Sequence, residues 1–341
     1  MAGEVSNNVS QLRAELGLRS RAWARGRAHV ESYGNPPVIV YEPEQGRHGN
    51  FFDVAYAAIM ARPEWSKRLG KVHTGAGRSL PRPALEPGRQ WRELDSSMSS
   101  DALLMNVFCT PGVADSADVR NLLGVEDAGV PEFGWRARVP LRNGRLDRTE
   151  VDMRWDGLLV EAKLSEADFQ TQRADVVEAY QDFDAVFERE ALPQVELRTA
   201  RRRQAVEFAE EFTQEWEAGG DEEVARAFQA DLVERSMQRQ PAARGYAGYQ
   251  LIRNVLAAHA QGASFCVVHD ERRPDLREAW FSVMAAVRCA ALRARLKVLT
   301  WQELTAVLPE DLRGFLSVKY GIVRPGDYPD IADSMSGTGG E

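Results

Sequence analysis

The segment from 149 to 164, TEVDMRWDGLLVEAKL, constrains the fold more than any other part of the chain. In its first half Val151, Met153 and Trp155 alternate with charged residues, and in a strand such alternation places the two sets on opposite faces. Asp156-Gly157 follows, which is a strong two-residue hairpin signal because both positions tolerate a positive φ. The second half continues as a strand. The segment therefore predicts an antiparallel hairpin.

The predicted turn determines which side chains meet across this hairpin. Asp152 would lie directly opposite Glu161. Glu150 would lie opposite Lys163, two residues along the same face. Opposed residues have Cβ atoms about 4.5–5.5 Å apart, and two carboxylates so placed repel each other unless a cation lies between them. A divalent cation that prefers oxygen ligands suits this position. The alternative is an outer strand face of solvated charges, on which Glu150 and Lys163 form an ordinary surface salt bridge.

The spacing of Asp152 and Glu161-Ala162-Lys163 resembles the signature of the PD-(D/E)xK nuclease superfamily, with Val-Asp in place of Pro-Asp. Further segments are similar to a group of restriction endonucleases in that superfamily, and together they extend the resemblance loosely over about residues 48 to 308. They are SSMSSDALLMNVF (96–108), VEAKLSEADF (160–169), YQLIRNVLAAH (249–259) and KVLTWQEL (297–304).

The resemblance implies a restriction-endonuclease-like α/β fold, a mixed β-sheet core flanked by helices, and the hydrolysis of DNA phosphodiester bonds. In it, Asp152, Glu161 and the backbone carbonyl of Ala162 would hold Mg²⁺, for which Mn²⁺ could substitute. Lys163 would orient or deprotonate the attacking water, or stabilise the transition state. Burial lowers the pKa of a lysine and neighbouring carboxylates raise it, so the sequence leaves these roles open.

Other residues are candidates for supporting roles. Tyr249, Gln250 and Arg253 resemble a phosphate- or water-positioning helix of some relatives, and residues four apart share a helix face; core packing is the alternative for Tyr249. Glu150 and Glu166 are candidates for an outer shell around the metal, or for solvated charges.

Many relatives add an acid from the first core helix. This chain offers only Asp101 at the start of that helix, with Glu93 before it. The identity of this acid, and the number of metal ions, therefore stay open.

The order helix, three strands, helix, strand, helix, strand predicts an α/β fold. We expect an N-terminal helical region and linker over 1–90, a core over 91–310 with a helical insertion at about 165–245, and a loose tail over 324–341. The predicted helices are 1–34, two within 51–69 separated at Pro63, one starting at Ser99 or Ser100, 246–261, 274–295 and 301–308; the predicted strands are 135–141, 149–155, 158–164, 264–269 and 297–300.

The formal net charge of −8 argues against a protein that binds nucleic acid by bulk charge, although a nuclease needs only a local group of cations. The arginine runs within 19–27 and 198–203 could contact phosphates or form solvated helix faces. The three cysteines have no disulfide or zinc spacing and suggest small buried residues. The sequence shows no membrane-spanning run and no signal-peptide core, so we expect a cytoplasmic protein.

These observations favour a DNA endonuclease of the restriction or defence type. The same centre could serve a structure-specific repair nuclease or an RNA nuclease. A third possibility is a catalytically inactive relative that only binds nucleic acid or a partner protein. A homodimer is expected on mechanistic grounds, because cutting both strands of DNA usually requires two active sites.

Overall fold

The computed structural model describes residues 2–32, 37–72, 91–148, 150–197 and 243–326. The helices in these ranges are α1 (Ala2–Ala24), α2 (Asp53–Ala61), α3 (Pro63–Ser66), α4 (Ser100–Phe108), α5 (Ala117–Leu123), α6 (Ala174–Val177), α7 (Phe183–Val186), α8 (Tyr249–Gln261), α9 (Pro274–Ala285), α10 (Ala290–Arg293), α11 (Trp301–Thr305) and α12 (Glu310–Tyr320). Short 3-10 turns cover Lys67–Gly70, Glu93–Asp95 and Arg189–Ala191.

The strands in the same ranges are β1 (His29–Glu31), β2 (Ile39–Tyr41), β3 (Pro43–Glu44), β4 (Arg47–His48), β5 (Glu132–Arg136), β6 (Val139–Pro140), β7 (Leu146–Asp147), β8 (Glu150–Trp155), β9 (Leu158–Ala162), β10 (Thr171–Arg173), β11 (Gln194–Leu197), β12 (Ala243–Ala247), β13 (Ser264–His269) and β14 (Leu296–Thr300). Five of them form the central sheet, in the order β14-β13-β9-β8-β5. The pairs β5–β8 and β8–β9 are antiparallel, whereas β9–β13 and β13–β14 are parallel. This mixed sheet confirms the predicted α/β class.

The hairpin forms as its sequence predicts. Val151, Met153 and Trp155 are completely buried, while the residues between them on β8 are partly exposed. Asp156 adopts a φ of 51° in the turn. The register pairs Trp155 with Leu158 and Met153 with Val160, which confirms the predicted alignment as far as the paired region extends.

Strand β9 is the middle strand of the central sheet, and helices cover both of its faces. All five of its residues are buried. Leu159 packs in one hydrophobic cluster with Val255 of α8, and Val160 packs in another with Leu104 of α4. Ser99 caps α4 as predicted, since its side chain accepts a hydrogen bond from the backbone N–H of Ala102.

The predicted helical insertion is wrong for residues 165–197. This stretch contains β10, the short helices α6 and α7, and β11, and β12 joins the two strands in a second, three-stranded antiparallel sheet. In β11 partly buried residues alternate with exposed ones, a strand pattern too short to stand out among the surrounding charges. Residues 198–242, including the arginine run of 198–203, lie outside the described residues, as do residues 73–90 of the region expected to contain the linker.

Several boundaries also differ from the predictions. The strand expected over 135–141 is β5, which ends at Arg136 before a separate short β6. The helix expected over 246–261 begins at Tyr249, because the residues before it pair as β12. The helix expected over 274–295 ends at Ala285. Helix α12 was not predicted, and Cys289 is exposed whereas Cys109 and Cys266 are buried.

The N-terminal helix α1 and the C-terminal helix α12 contact each other and the core. Leu12 and Leu16 of α1 share a hydrophobic cluster with Leu312 and Leu316 of α12. The guanidinium of Arg13 donates to the backbone oxygen of a residue just after β9, at 2.8 Å. A search of the described helices finds none that is long and apolar enough to cross a membrane.

Candidate active site

The polar ends of β8 and β9 open into a cleft of about 670 Å³ beside α4 and α8. Seven carboxylates and three cationic side chains line it, so the cleft is strongly acidic. The carboxylates belong to Glu93, Asp101, Glu150, Asp152, Glu161, Glu166 and Asp168, and the cations to Lys71, Lys163 and Arg253.

Asp152 lies on β8 where the paired part of the hairpin ends. Its carboxylate accepts a hydrogen bond from the backbone N–H of Ala162 at 2.8 Å. Burial raises its pKa well above the usual value, and the negative charges of Glu161 and Asp101 raise it further. Within the described ranges no cationic side chain forms an ion pair with Asp152. The carboxylate is thus held among other negative charges without a cation of its own.

Glu161 and Lys163 are both buried and contact each other. The Nζ atom of Lys163 lies 2.8 Å from Oε1 of Glu161, and Nδ2 of Asn254 donates to Oε2 of Glu161 at 2.8 Å. Burial alone would lower the pKa of Lys163, but the carboxylates of Glu161, Glu166 and Asp152 together raise it. In the absence of a metal ion, these neighbouring carboxylates favour the charged form of Lys163.

Two hydrogen bonds, one with β13 and one with α11, fix the backbone of Lys163. Its N–H donates to the carbonyl of Val268 on β13 at 2.8 Å, and its carbonyl accepts from the indole of Trp301 at 2.9 Å. The lysine side chain enters the cleft from this rigid base.

The salt bridge between Glu150 and Lys163, which was the surface-charge alternative, does not form in the described structure. The Glu150 carboxylate instead lies 2.7 Å from the guanidinium of Arg68 and 3.1 Å from the ammonium of Lys71. These cations belong to the 3-10 turn after α3 and the residue that follows it. The hairpin register is as predicted, but the side chain of Glu150 forms its ion pairs with residues outside the hairpin.

The acid of the first core helix, Asp101, also contacts this cationic pair. Its Oδ2 lies 2.7 Å from Arg68 and 3.0 Å from Lys71. Burial would raise the pKa of Asp101, but these two cations lower it below the usual value. Glu93 contacts Lys71 as well, at 3.1 Å, and burial together with the charge of Asp101 raises the pKa of Glu93 to about 7.

The three candidates on α8 have different positions. Gln250 and Arg253 line the cleft, and Arg253 donates to the backbone oxygen of Glu150 at 3.3 Å. Tyr249 is not among the residues that line the cleft. Its ring packs against the hydrophobic core and its hydroxyl lies 3.2 Å from that of Tyr180, so its position does not support a role in positioning substrate.

Glu166 lines the cleft and is held by two protein donors. Its Oε2 accepts from the backbone N–H of Leu164 at 2.7 Å, and its Oε1 accepts from the hydroxyl of Ser100. These contacts tie the loop after β9 to the start of α4.

Donors for a metal ion are few at this centre. Across the part of the chain that the structure describes, no group of three or more His, Cys, Asp or Glu side chains has the arrangement to hold a metal. Asp152 and Glu161 supply two carboxylates. A larger cavity, of about 930 Å³, lies between α1, β3–β4 and α12, but none of these acids or Lys163 lines it. We therefore take the smaller, acidic cleft as the candidate site.

Sequence reasoning missed Arg68, Lys71, Ser100 and Asn254. The first two lie about eighty residues from Glu150 and carry no local spacing signal. Asn254 could have been found, because it follows Gln250 by four residues on α8 and therefore shares its helix face.

A comparison with protein families gives one finding that bears on this site. The family model described as "Restriction Endonuclease associating with ARP" matches residues 19–321, which include every residue of the cleft. Searches of curated proteins and of solved structures return no match.

Proposed function

The chain belongs to the family of restriction endonucleases associating with ARP, and from this premise we propose that it is a metal-dependent nuclease that hydrolyses DNA phosphodiester bonds. We further propose that its centre is of the PD-(D/E)xK type, on a restriction-endonuclease-like core, with Asp152, Glu161 and Lys163 as catalytic residues. The observation that supports this most strongly is the cleft itself. There the strand acids Asp152 and Glu161 come together beside a buried, charged lysine.

The residues present fit a divalent cation. The carboxylates of Glu161 and Asp101 act on Asp152 and raise its pKa together with burial, so a cation bound between these groups would relieve their repulsion. Asp152, Glu161 and the carbonyl of Ala162 would hold Mg²⁺ or Mn²⁺, with waters completing the shell. Bound there, the ion supplies a more acidic water and neutralises charge on the phosphate.

The position of Lys163 supports one of its possible roles. Its amino group enters the cleft 2.8 Å from Oε1 of Glu161, a position from which an ammonium can donate hydrogen bonds to the attacking water or to a phosphate oxygen. Asn254 holds the other oxygen of Glu161, which would keep this carboxylate aimed into the cleft.

Gln250 and Arg253 complete one wall of the proposed site. Both line the cleft on α8, and the guanidinium of Arg253 is a cation that can contact a phosphate of the substrate. DNA is the substrate that the family description suggests. The same description names an association with ARP, so a separate partner chain is part of this proposal.

Cleavage assays test the proposal directly. We expect plasmid DNA to be cut in the presence of Mg²⁺ or Mn²⁺ and to remain intact with a chelator. Lys163→Ala should lower the cleavage rate by at least about 100-fold, as expected for loss of a transition-state donor. Lys67→Ala, at an exposed lysine outside the cleft, is the matched control and should cut normally.

The substrates used in this assay separate the alternatives. Cutting of RNA or of branched DNA in preference to plasmid would indicate an RNA or repair nuclease that uses the same centre. Binding of DNA without any metal-dependent cutting would show a catalytically inactive relative and would contradict the proposal.

A further inference from the structure

A second ionic cluster lies beside the proposed catalytic residues and is not explained by them. It consists of two cations, Arg68 and Lys71, and three acids, Glu93, Asp101 and Glu150. We call it the cationic cluster after its two cations. Lys71 is its centre, with Nζ 3.0 Å from Asp101, 3.1 Å from Glu93 and 3.1 Å from Glu150.

The backbone holds Lys71 firmly in this position. Its N–H donates to the carbonyl of Arg68 at 3.0 Å, and its own carbonyl accepts from the N–H of Glu93 at 2.9 Å. The Arg68 side chain lies against Gly134 of β5, where a Cβ atom would collide with its guanidinium. A glycine on the strand next to β8 thus leaves the space that the guanidinium fills.

The acids of the cleft differ in whether they already contact a cation. Asp101 and Glu150 each contact both Arg68 and Lys71. Asp152 has no such partner among the described residues, although it lies only two residues from Glu150 on the same face of β8, about 7 Å along the strand. Asp101, the acid of the first core helix, and Glu150 are therefore already paired with side-chain cations.

Of the two cations, Lys71 is the one that a substrate can reach. Its side chain is 24% exposed and lines the cleft, whereas that of Arg68 is 8% exposed. Because Arg68 also contacts Asp101 and Glu150, these carboxylates keep a cationic partner if Lys71 turns toward a phosphate.

We propose that the ammonium of Lys71 takes the place of a second divalent cation and contacts the phosphate of the substrate, so that the centre works with one metal ion. This inference rests on the proposed function, since it requires the first ion at Asp152 and Glu161. It assigns Lys71 as a further catalytic residue and Asp101 as the acid that holds the cationic cluster.

Metal stoichiometry gives the first test. The full-length protein is titrated with Mn²⁺, and the free ion is followed by electron paramagnetic resonance. We expect one tightly bound Mn²⁺ per chain, absent in Asp152→Asn and present in Lys71→Met. Two tightly bound ions per wild-type chain would overturn the inference while leaving the nuclease proposal intact. One ion that Asp152→Asn retains would overturn the proposed metal centre and, with it, this inference.

Single-turnover cleavage of plasmid DNA at saturating Mn²⁺ gives the second test. We expect Lys71→Met and Lys71→Gln to cut about 100- to 1,000-fold more slowly, as when one transition-state donor is lost. Lys71→Gln keeps hydrogen bonds to the carboxylates and so guards against a folding defect. Lys71→Arg should recover part of the rate because it keeps the charge, and the exposed control Lys67→Met should match wild type. A wild-type rate in Lys71→Gln would overturn the inference.

Discussion

Two aspartates of the cleft show that neighbouring charges can shift the pKa of one residue type in opposite directions. Asp101 is buried and Asp152 is partly buried, yet the pKa of Asp101 is lowered and that of Asp152 is raised. Burial acts on both in the same direction. The difference arises because Arg68 and Lys71 contact Asp101, whereas the negative charges of Glu161 and Asp101 raise the pKa of Asp152. Only Asp152 therefore gains strongly from an added cation.

The raised pKa of Asp152 predicts a pH-dependent stability in metal-free protein. The folded state keeps a proton on Asp152 at pH values where the unfolded chain, with a pKa of about 3.9, has lost it. Stability contributed by this group is therefore lost as the pH rises from about 4 through the folded-state pKa. Asp152→Asn cannot ionise, so we expect it to be more stable than wild type at pH 8 and similar near pH 4.

Urea unfolding in a chelator, at pH values from 4 to 8, measures this difference. Adding Mg²⁺ should stabilise wild type but not Asp152→Asn, because only the wild type binds the ion. A variant that is less stable than wild type at pH 8 in chelator would contradict the assigned environment of Asp152.

The hydrogen bond from Asn254 to Glu161 predicts a role in metal affinity. Both side chains are buried, so Asn254→Ala would leave one oxygen of Glu161 without its donor. We expect a loss of about 10- to 100-fold in Mn²⁺ affinity, the usual effect of removing a group that orients a ligand. Isothermal titration calorimetry measures this, with Gln261→Ala on the exposed end of α8 as the control. Equal affinities in the two variants would show that Asn254 does not orient the ligand.

At the scale of the elements, the sequence predicted what local periodicity encodes. The β8–β9 hairpin was predicted with its register because alternation and the Asp-Gly turn act within sixteen residues. Strand β13 was predicted with both of its ends. The second sheet was missed because its strands are three to five residues long and pair over a long separation. The hydrophobic periodicity of one segment does not indicate which distant segment it pairs with.

The residues of the candidate site likewise fall into a group that local sequence predicts and a group that it does not. Asp152, Glu161 and Lys163 come from one hairpin, and their grouping could be predicted from its turn. Arg68 and Lys71 reach the cleft only through the packing of a distant turn against β5 and α4. Their contacts depend on tertiary structure, so the sequence alone did not predict the ion pairs of Glu150.

Gly134 predicts an element-scale effect on the cationic cluster. It has a φ of 64°, and any Cβ there would displace the guanidinium of Arg68. Gly144 has a φ of 77° but open space around it, so Gly144→Ala should cost only the backbone strain, about 1–2 kcal/mol. Gly134→Ala should cost about 1–3 kcal/mol more through overpacking and should also slow cleavage.

Urea unfolding and plasmid cleavage on both glycine variants separate the two effects. Equal stabilities and equal rates would mean that Arg68 has room to move, and that its contact with the strand does not hold the cationic cluster in place.

At the scale of the whole molecule, the first and last of the described helices, α1 and α12, pack against the core. The guanidinium of Arg272, just after β13, lies 2.9 Å from Glu15 of α1. In α12 the buried Nζ atom of Lys319 donates to the backbone and side-chain oxygens of Asn50. The division into a region of 1–90 and a core of 91–310 stays a prediction about sequence segments. These contacts lead us to expect that the segments unfold together.

Phe315 of α12 tests this cooperation because it connects distant parts of the chain. Its ring lies 5.4 Å from that of Trp23 on α1 and 5.5 Å from that of Phe52 before α2. Phe315→Ala should lower the free energy of unfolding by about 3–5 kcal/mol, as for other large-to-small changes in a core. Val318→Ala, at a residue of the same helix that is 58% exposed, should change it by less than about 0.5 kcal/mol.

If helices α1 and α12 and the sheet form one unit, the Phe315→Ala unfolding transition stays single and shifts as a whole, whether it is followed by tryptophan fluorescence or by circular dichroism. Two separate transitions, with the catalytic cleft still able to bind Mn²⁺ after the first, would instead show that the terminal helices form an independent unit.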